Sequence, residues 1–261
     1  MLTLVSPAKA LDFDSPLATR KFSQPESLDR SRDLVQIMAT KAPADLSEMM
    51  SISASLAELN HERFQDWTTP FTVDNARPAV LAFDGDTYTG LDAANSFGER
   101  DFTHAQKVLR ILSGLHGVLR PLDLIQPYRL EMGSKVAHPD GDDLYSFWGD
   151  TVTDRLNADL ADSPGAKALV NLASNEYFGV VQADLIDGRI ISPRFLDAKG
   201  DGDHKVVSFF AKQARGSMAG WMVRERITTI SALTDFSERG YTYDESRSTR
   251  DEPVFTRRSE V

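Results

Sequence analysis

The stretch LSGLHGVLRPLDLIQPYRLEMG, Leu112 to Gly133, places two arginines, a tyrosine and a glutamate among glycines and prolines, with leucines supplying apolar weight. From Lys107 to Lys135 the cations Lys107, Arg110, Arg120, Arg129 and Lys135 face only Asp123 and Glu131, in a chain whose net charge is -10. A basic island in an acidic chain needs either an anionic partner or internal carboxylates. SGLHGVL joins two apolar runs through Gly114 and Gly117. If both runs are helical, this is how a helix-hairpin-helix presents backbone N–H groups to phosphate, with Arg110 and Arg120 flanking it. In the other reading, Arg120 and Arg129 pair with Asp123 and Glu131 inside a loop pinned by Pro121 and Pro127. In an extended PYRLEMG, Arg129 and Glu131 project from one side and Leu130 and Met132 from the other.

Further reactive residue types follow apolar runs. Ser6 and Lys9 follow Met1 to Val5, Asp86 and Tyr88 follow Ala79 to Phe83, and Ser174, Asn175, Glu176 and Tyr177 follow ALVNL. Lys212 and Arg215 stand three apart, on one face of an expected helix, beside the small residues Ala211, Ala214 and Gly216. If the strands are parallel, their C-terminal ends share a crevice of the kind where ligands bind. Lys9, Arg120, Tyr128, Arg129, Glu131, Asp150, Glu176, Tyr177 and Lys212 could then form a polar pocket, with burial tuning a carboxylate or lysine for acid–base work. The histidines His61, His104, His116, His138 and His204 show no metal-ligand spacing, and no dinucleotide, Walker or nucleophile-elbow motif is present. Neither a metal site nor a cofactor is expected.

The elements that must position these residues alternate in type. Short apolar runs predict strands at Met1 to Val5, Ala79 to Phe83, ALVNL, Ile190 to Phe195 and Lys205 to Phe210. Helical spacing predicts helices across ESLDRSRDLVQIMATKA, Asp45 to Trp67, HAQKVLRILSGL with Thr103 as N-cap, LYSFWGDTVTDRLNADLA and AKQARGSMAGWMVRERI. Tyr241 to Tyr243 and Val254 to Thr256 predict a C-terminal hairpin. The pattern implies an α/β fold of mixed α+β character, one domain over residues 1–261, with a mixed sheet flanked by helices.

The chain has 261 residues, 41% of them hydrophobic, which suffices for one substantial core. The absence of cysteine excludes disulfides, thiolate nucleophiles and cysteine-ligated metals. No membrane span and no secretory leader are visible, so a cytoplasmic location is expected. The acidic balance disfavours a general nucleic-acid coating role while leaving room for a local basic cleft.

SPAK at Ser6 to Lys9, GDTYTGL at Gly85 to Leu91, the Leu112 to Gly133 stretch, LYSFWGD, NLASNEYF and AKQARG together resemble the YaaA peroxide-stress-resistance family, in order along essentially the whole chain. The resemblance implies a bacterial cytoplasmic protein that limits free iron, and the DNA damage iron causes, under hydrogen peroxide stress. It also implies an uncommon single-domain α/β fold with a positively charged cleft, a helix-hairpin-helix element and binding to double-stranded DNA. By motif position, the phosphate contacts would be Arg110, Gly114, Gly117 and Arg120, with Lys9, Lys212 and Arg215 as cleft residues.

Overall fold

The computed structural model describes residues 1–200 and 202–259. Asp201, between the strands expected at Ile190 to Phe195 and Lys205 to Phe210, and Glu260 and Val261, at the end of the domain expected over 1–261, lie outside the described residues.

The apolar run Leu2–Val5 forms strand β1, with every residue buried. Helices α1 (Leu28–Ala39), α2 (Pro43–Met50) and α3 (Ala54–Asp66) follow. The helical stretch expected from Asp45 to Trp67 divides at Ser51, whose φ of 50° ends α2 in the left-handed region. Next come α4 (Asp86–Leu91), α5 (Glu99–Val108), β2 (Leu109–Ser113) and β3 (Gly117–Leu119). The second half comprises α6 (Leu144–Trp148), α7 (Thr151–Asp162), β4 (Ala168–Leu172), α8 (Asn175–Phe178), β5 (Arg189–Ile191) and β6 (Arg194–Lys199). Helix α9 (Ser208–Arg224), β7 (Thr242–Tyr243) and β8 (Val254–Ser259) complete it.

The central sheet has the order β3-β2-β1-β4-β5. Strand β1 is parallel to both β2 and β4, β4 is parallel to β5, and β3 closes one edge antiparallel to β2. Because β1 connects onward to one side of itself and β4 then falls on its other side, the strand order reverses between β1 and β4. That is the place where open α/β sheets bind ligands. A second sheet pairs β8 parallel to β6 and antiparallel to β7, so the expected C-terminal hairpin forms with Thr242 opposite Thr256 and Tyr243 opposite Phe255. The fold is thus the mixed α/β arrangement expected, and one contiguous core extends from Met1 to Phe255.

The glycines of α4 and α9 bring these helices into backbone contact. A Cβ on Gly216 would lie 1.7 Å from the Thr87 carbonyl oxygen, and one on Gly90 would lie 2.0 Å from that of Gln213. No larger residue permits this approach, and it holds the start of α4 against the second turn of α9.

Four local expectations are corrected. No helix-hairpin-helix forms at Gly114 and Gly117: the second half of HAQKVLRILSGL is the buried strand β2, which turns into β3 as a β-hairpin with Ser113 opposite Gly117. A short apolar run reads equally well as buried strand or buried helix, and here the parallel partner β1 decides. The helix before it starts at Glu99, where Asp101 accepts a hydrogen bond from the Gly98 N–H at 2.8 Å, so Thr103 is not its cap. Ala79–Ala82 is a helical turn rather than a strand. Lys205 to Phe210 is no strand either, because α9 already begins at Ser208 and Val206, Phe209 and Phe210 remain exposed.

Candidate functional site

At the switch point the loops after β1 and β4 are tied together. The Ser174 N–H donates to Ser6 Oγ at 2.9 Å, the two hydroxyls lie 3.4 Å apart, and the Tyr88 hydroxyl donates to the Ser6 carbonyl at 3.2 Å. Above these ends lies a cleft of about 480 Å³, within the range that holds a small molecule. Its walls come from the Ser6 to Ala10 loop, the 84–87 turn entering α4, Ser174, Glu176 and Tyr177 at α8, and Lys212 and Arg215 of α9. The i,i+3 spacing of the two α9 cations turns both toward it.

A narrow crevice continues from this cleft past Lys9 and Tyr177 to Arg129 and Glu131. Glu131 Oε1 accepts from Arg129 Nε at 3.1 Å and stands 3.0 Å from the second guanidinium nitrogen and 3.2 Å from Lys9 Nζ. Arg129 and Glu131 do project together, as an extended segment requires, while Leu130 and Met132 are buried. Glu176 Oε1 accepts from the Gly133 N–H at 3.1 Å, binding α8 to the same segment.

The tyrosines here are held as neutral hydroxyls. Burial pushes Tyr88, Tyr128 and Tyr177 well up from the ordinary phenol value. Nearby Tyr128, Glu176 and Glu131 push Tyr177 further in the same direction. Tyr128 is buried against Ser113, 2.6 Å from its hydroxyl, and supports the crevice wall from below.

Arg215 differs from the other arginines of the region. It is half-buried, and burial draws its guanidinium down from the usual value, yet among the described residues it has no hydrogen-bond or ion-pair partner. An arginine stays charged in a protein, so a half-buried guanidinium without a protein partner is open to an anion.

Of the residues singled out from the sequence, Lys9, Glu176, Tyr177, Lys212 and Arg215 line the cleft, and Tyr128, Arg129 and Glu131 line its side crevice. Arg110, Gly114, Gly117 and Arg120 lie elsewhere. Arg110 is buried, with its Nε 2.6 Å from Asp159. A Cβ on Gly114 would sit 2.3 Å from the Leu130 carbonyl oxygen, and one on Gly117, where φ is +67°, would sit 2.9 Å from the Trp148 ring. The two glycines therefore serve packing. Arg120 pairs with Asp123 at 2.8 Å and Glu26 at 3.0 Å. Asp150 stands just before α7 without a side-chain capping bond and accepts from Gln182 Nε2 at 2.5 Å, outside the cleft. Thr87 lines the cleft without having been singled out. The signal for it was the DGDT turn itself, from which Asp86 and Tyr88 had been drawn.

Another depression, of about 520 Å³, lies along α1 beside His138 and Phe147. It is built from helix and loop surface rather than strand ends. Its arginine, Arg30, already stacks 4.6 Å over the Phe147 ring and donates to the Phe147 carbonyl.

Fold and cleft together define an α/β protein with a charged cleft at the switch point of its parallel strands. The family model described as peroxide stress protein YaaA matches residues 1–247, and the chain belongs to that family. A role in peroxide stress follows from that membership.

Proposed function

We propose that this chain acts in peroxide stress by binding a small anionic molecule in the switch-point cleft, with Arg215 and Lys212 holding the anion. Restraint of free iron, and of the DNA damage it causes, is the cellular outcome proposed for that site. The observation that carries the reading is the Arg215 guanidinium, half-buried and without a protein partner among the described residues, on the wall of a small-molecule-sized cleft. A bound phosphate or carboxylate would supply the charge-assisted hydrogen bonds the protein does not. Glu131, mostly shielded from solvent beside two cations, and the neutral Tyr177 hydroxyl add an acceptor and a hydrogen-bond donor in the crevice that opens from the cleft.

Titration calorimetry with propyl phosphate and inorganic pyrophosphate tests this. Arg215→Met is expected to weaken binding by about tenfold or more, the loss of one charge-assisted hydrogen bond. It should also leave the urea midpoint unchanged or raised and reduce survival under peroxide. Equal affinity in the wild type and Arg215→Met, or no binding by the wild type, overturns the reading. Lys212→Met, exposed and unable to disturb the core, serves as the second variant.

Duplex DNA is the second reading. Lys212 and Arg215 favour it, being cations expected in a DNA-binding cleft that do line a surface cleft. In that case, fluorescence anisotropy of a labelled duplex should show saturable binding that weakens steeply with salt.

A further inference from the structure

The cleft contains unpaired charge of both signs. On one wall are the α9 cations Lys212 and Arg215; on another are Asp84 and Asp86, at the turn entering α4. Among the described residues, none of these four side chains has an ion-pair or hydrogen-bond partner. The remaining cleft charges behave differently. Lys9 meets Glu131 at 3.2 Å, and Glu176 accepts from the Gly133 N–H at 3.1 Å.

The division is fixed by the backbone. Gly216 against Thr87 and Gly90 against Gln213 lock α4 to α9, so the acidic turn and the basic turn hold their separation across the cleft. A purely anionic ligand answers only half of this surface, because its charge would also sit near two carboxylates with no cation of their own. A ligand bearing an anion at one end and a cationic amine at the other answers both halves. Each unpaired group then gains an opposite charge within the cleft, as a charge-assisted contact.

We infer that the cleft selects an amphoteric small molecule, a phosphate or carboxylate that also carries an amine, with the acid end on Lys212 and Arg215 and the amine on Asp84 and Asp86. This rests on the anion site proposed above and adds the class of ligand. A volume of about 480 Å³ suits a metabolite of this kind.

The test uses the full chain and a series of ω-aminoalkyl phosphates of increasing chain length, each compared with the alkyl phosphate lacking the amine. In the wild type, at the matching length, the amine should tighten binding by about tenfold or more. Asp84→Asn and Asp86→Asn, singly and together, should remove that increment while leaving alkyl phosphate affinity unchanged or improved, since a repelling carboxylate is gone. Arg215→Met should weaken amino and plain compounds alike. No increment at any length, or an increment that survives in the double Asn variant, overturns the amphoteric ligand while leaving the anion site standing. Failure of every phosphate compound to bind the wild type overturns both. Asp84 is exposed and Asp86 partly exposed at the start of α4, and urea midpoints unchanged from wild type confirm that binding alone is read.

Discussion

Glu131 holds two cations on the same oxygen, and the two are not equivalent. The Arg129 side chain is 16% exposed, whereas that of Lys9 is 68% exposed and can turn to water. Glu131→Gln therefore leaves one guanidinium without its carboxylate in a poorly hydrated crevice, while Lys9 loses little. The expected cost is about 1–3 kcal/mol, the range for stranding a partly buried charged donor, and less than the 3–5 kcal/mol of a fully buried pair. Lys9→Ala is expected to change stability by less than about 1 kcal/mol. Urea unfolding of both variants checks the contrast; equal losses would mean that Lys9, not Arg129, is the partner that matters. The arginine–carboxylate pairing within the PYRLEMG segment was legible from residue spacing alone, because extended backbone puts i and i+2 side by side. That Lys9, more than a hundred positions earlier, completes the cluster was not, since only the parallel register of β1 brings that loop there.

Among the elements, the basic island is largely an internal ladder of charge. Arg110 on β2 meets Asp159 on α7 at 2.6 Å, and Arg155 meets the same carboxylate at 2.5 Å. Arg155 then reaches Glu26, which pairs with Arg120 at 3.0 Å, and Arg120 pairs with Asp123 at 2.8 Å. The ladder fastens the sheet edge to α7 and to the segment before α1. Burial by itself would raise the Asp159 carboxyl, but the hydrogen bonds and charges of Arg110 and Arg155 outweigh it and hold the group below its usual value. Asp159→Asn leaves Arg110 buried and uncompensated, with an expected loss of about 3–5 kcal/mol. Glu26→Ala, at a half-exposed position, is expected to lose less than about 1 kcal/mol. Chemical denaturation of the two variants would sink this account if Glu26→Ala were the costlier. The ladder also explains what could not be read beforehand. Strands β1 and β4 and helices α1, α7 and α9 announce themselves by apolar runs and periodicity. The β2–β3 hairpin does not, because a strand buried on both faces lacks alternation and its glycines look the same whether they face phosphate or pack on Trp148. The cleft-lining loops were visible as polar segments after apolar runs, but Thr87 gained significance only once α4 was seen locked against α9.

For the molecule as a whole, one buried ring makes its own contribution to the loss of stability in acid. His116 has no solvent exposure and lies edge-on to Phe71 and Tyr128, with ring centroids 6.2 and 5.4 Å away. The Ser31 hydroxyl donates to the Ser27 carbonyl at 3.0 Å, so it accepts at 2.8 Å from the proton on His116 Nδ1. Nε2 is then the unprotonated nitrogen, buried with no partner. Protonating it would create a cation with an unmet N–H among apolar groups, and this desolvation pulls the His116 pKa from 6.5 down to about 3. Above pH 6.5 the ring is neutral in both folded and unfolded chains and contributes nothing to the pH dependence. Between pH 6.5 and about 3 the unfolded chain takes up a proton that the folded chain refuses. Stability must therefore fall with falling pH, by up to about 1.4 kcal/mol per unit from this group alone. His116→Phe keeps the aromatic contacts and the Ser31–Ser27 bond while removing the titration. Comparing urea-derived stabilities of wild type and variant from pH 8 to pH 4 isolates the ring from the surface carboxylates, whose titration is common to both. The difference between the two proteins is expected to be constant above pH 7 and to move in favour of the variant by about 1 kcal/mol or more per unit below pH 6. Parallel curves over the whole range would show that His116 takes its proton inside the folded core, and with that the tautomer and its unpartnered nitrogen would have to be abandoned.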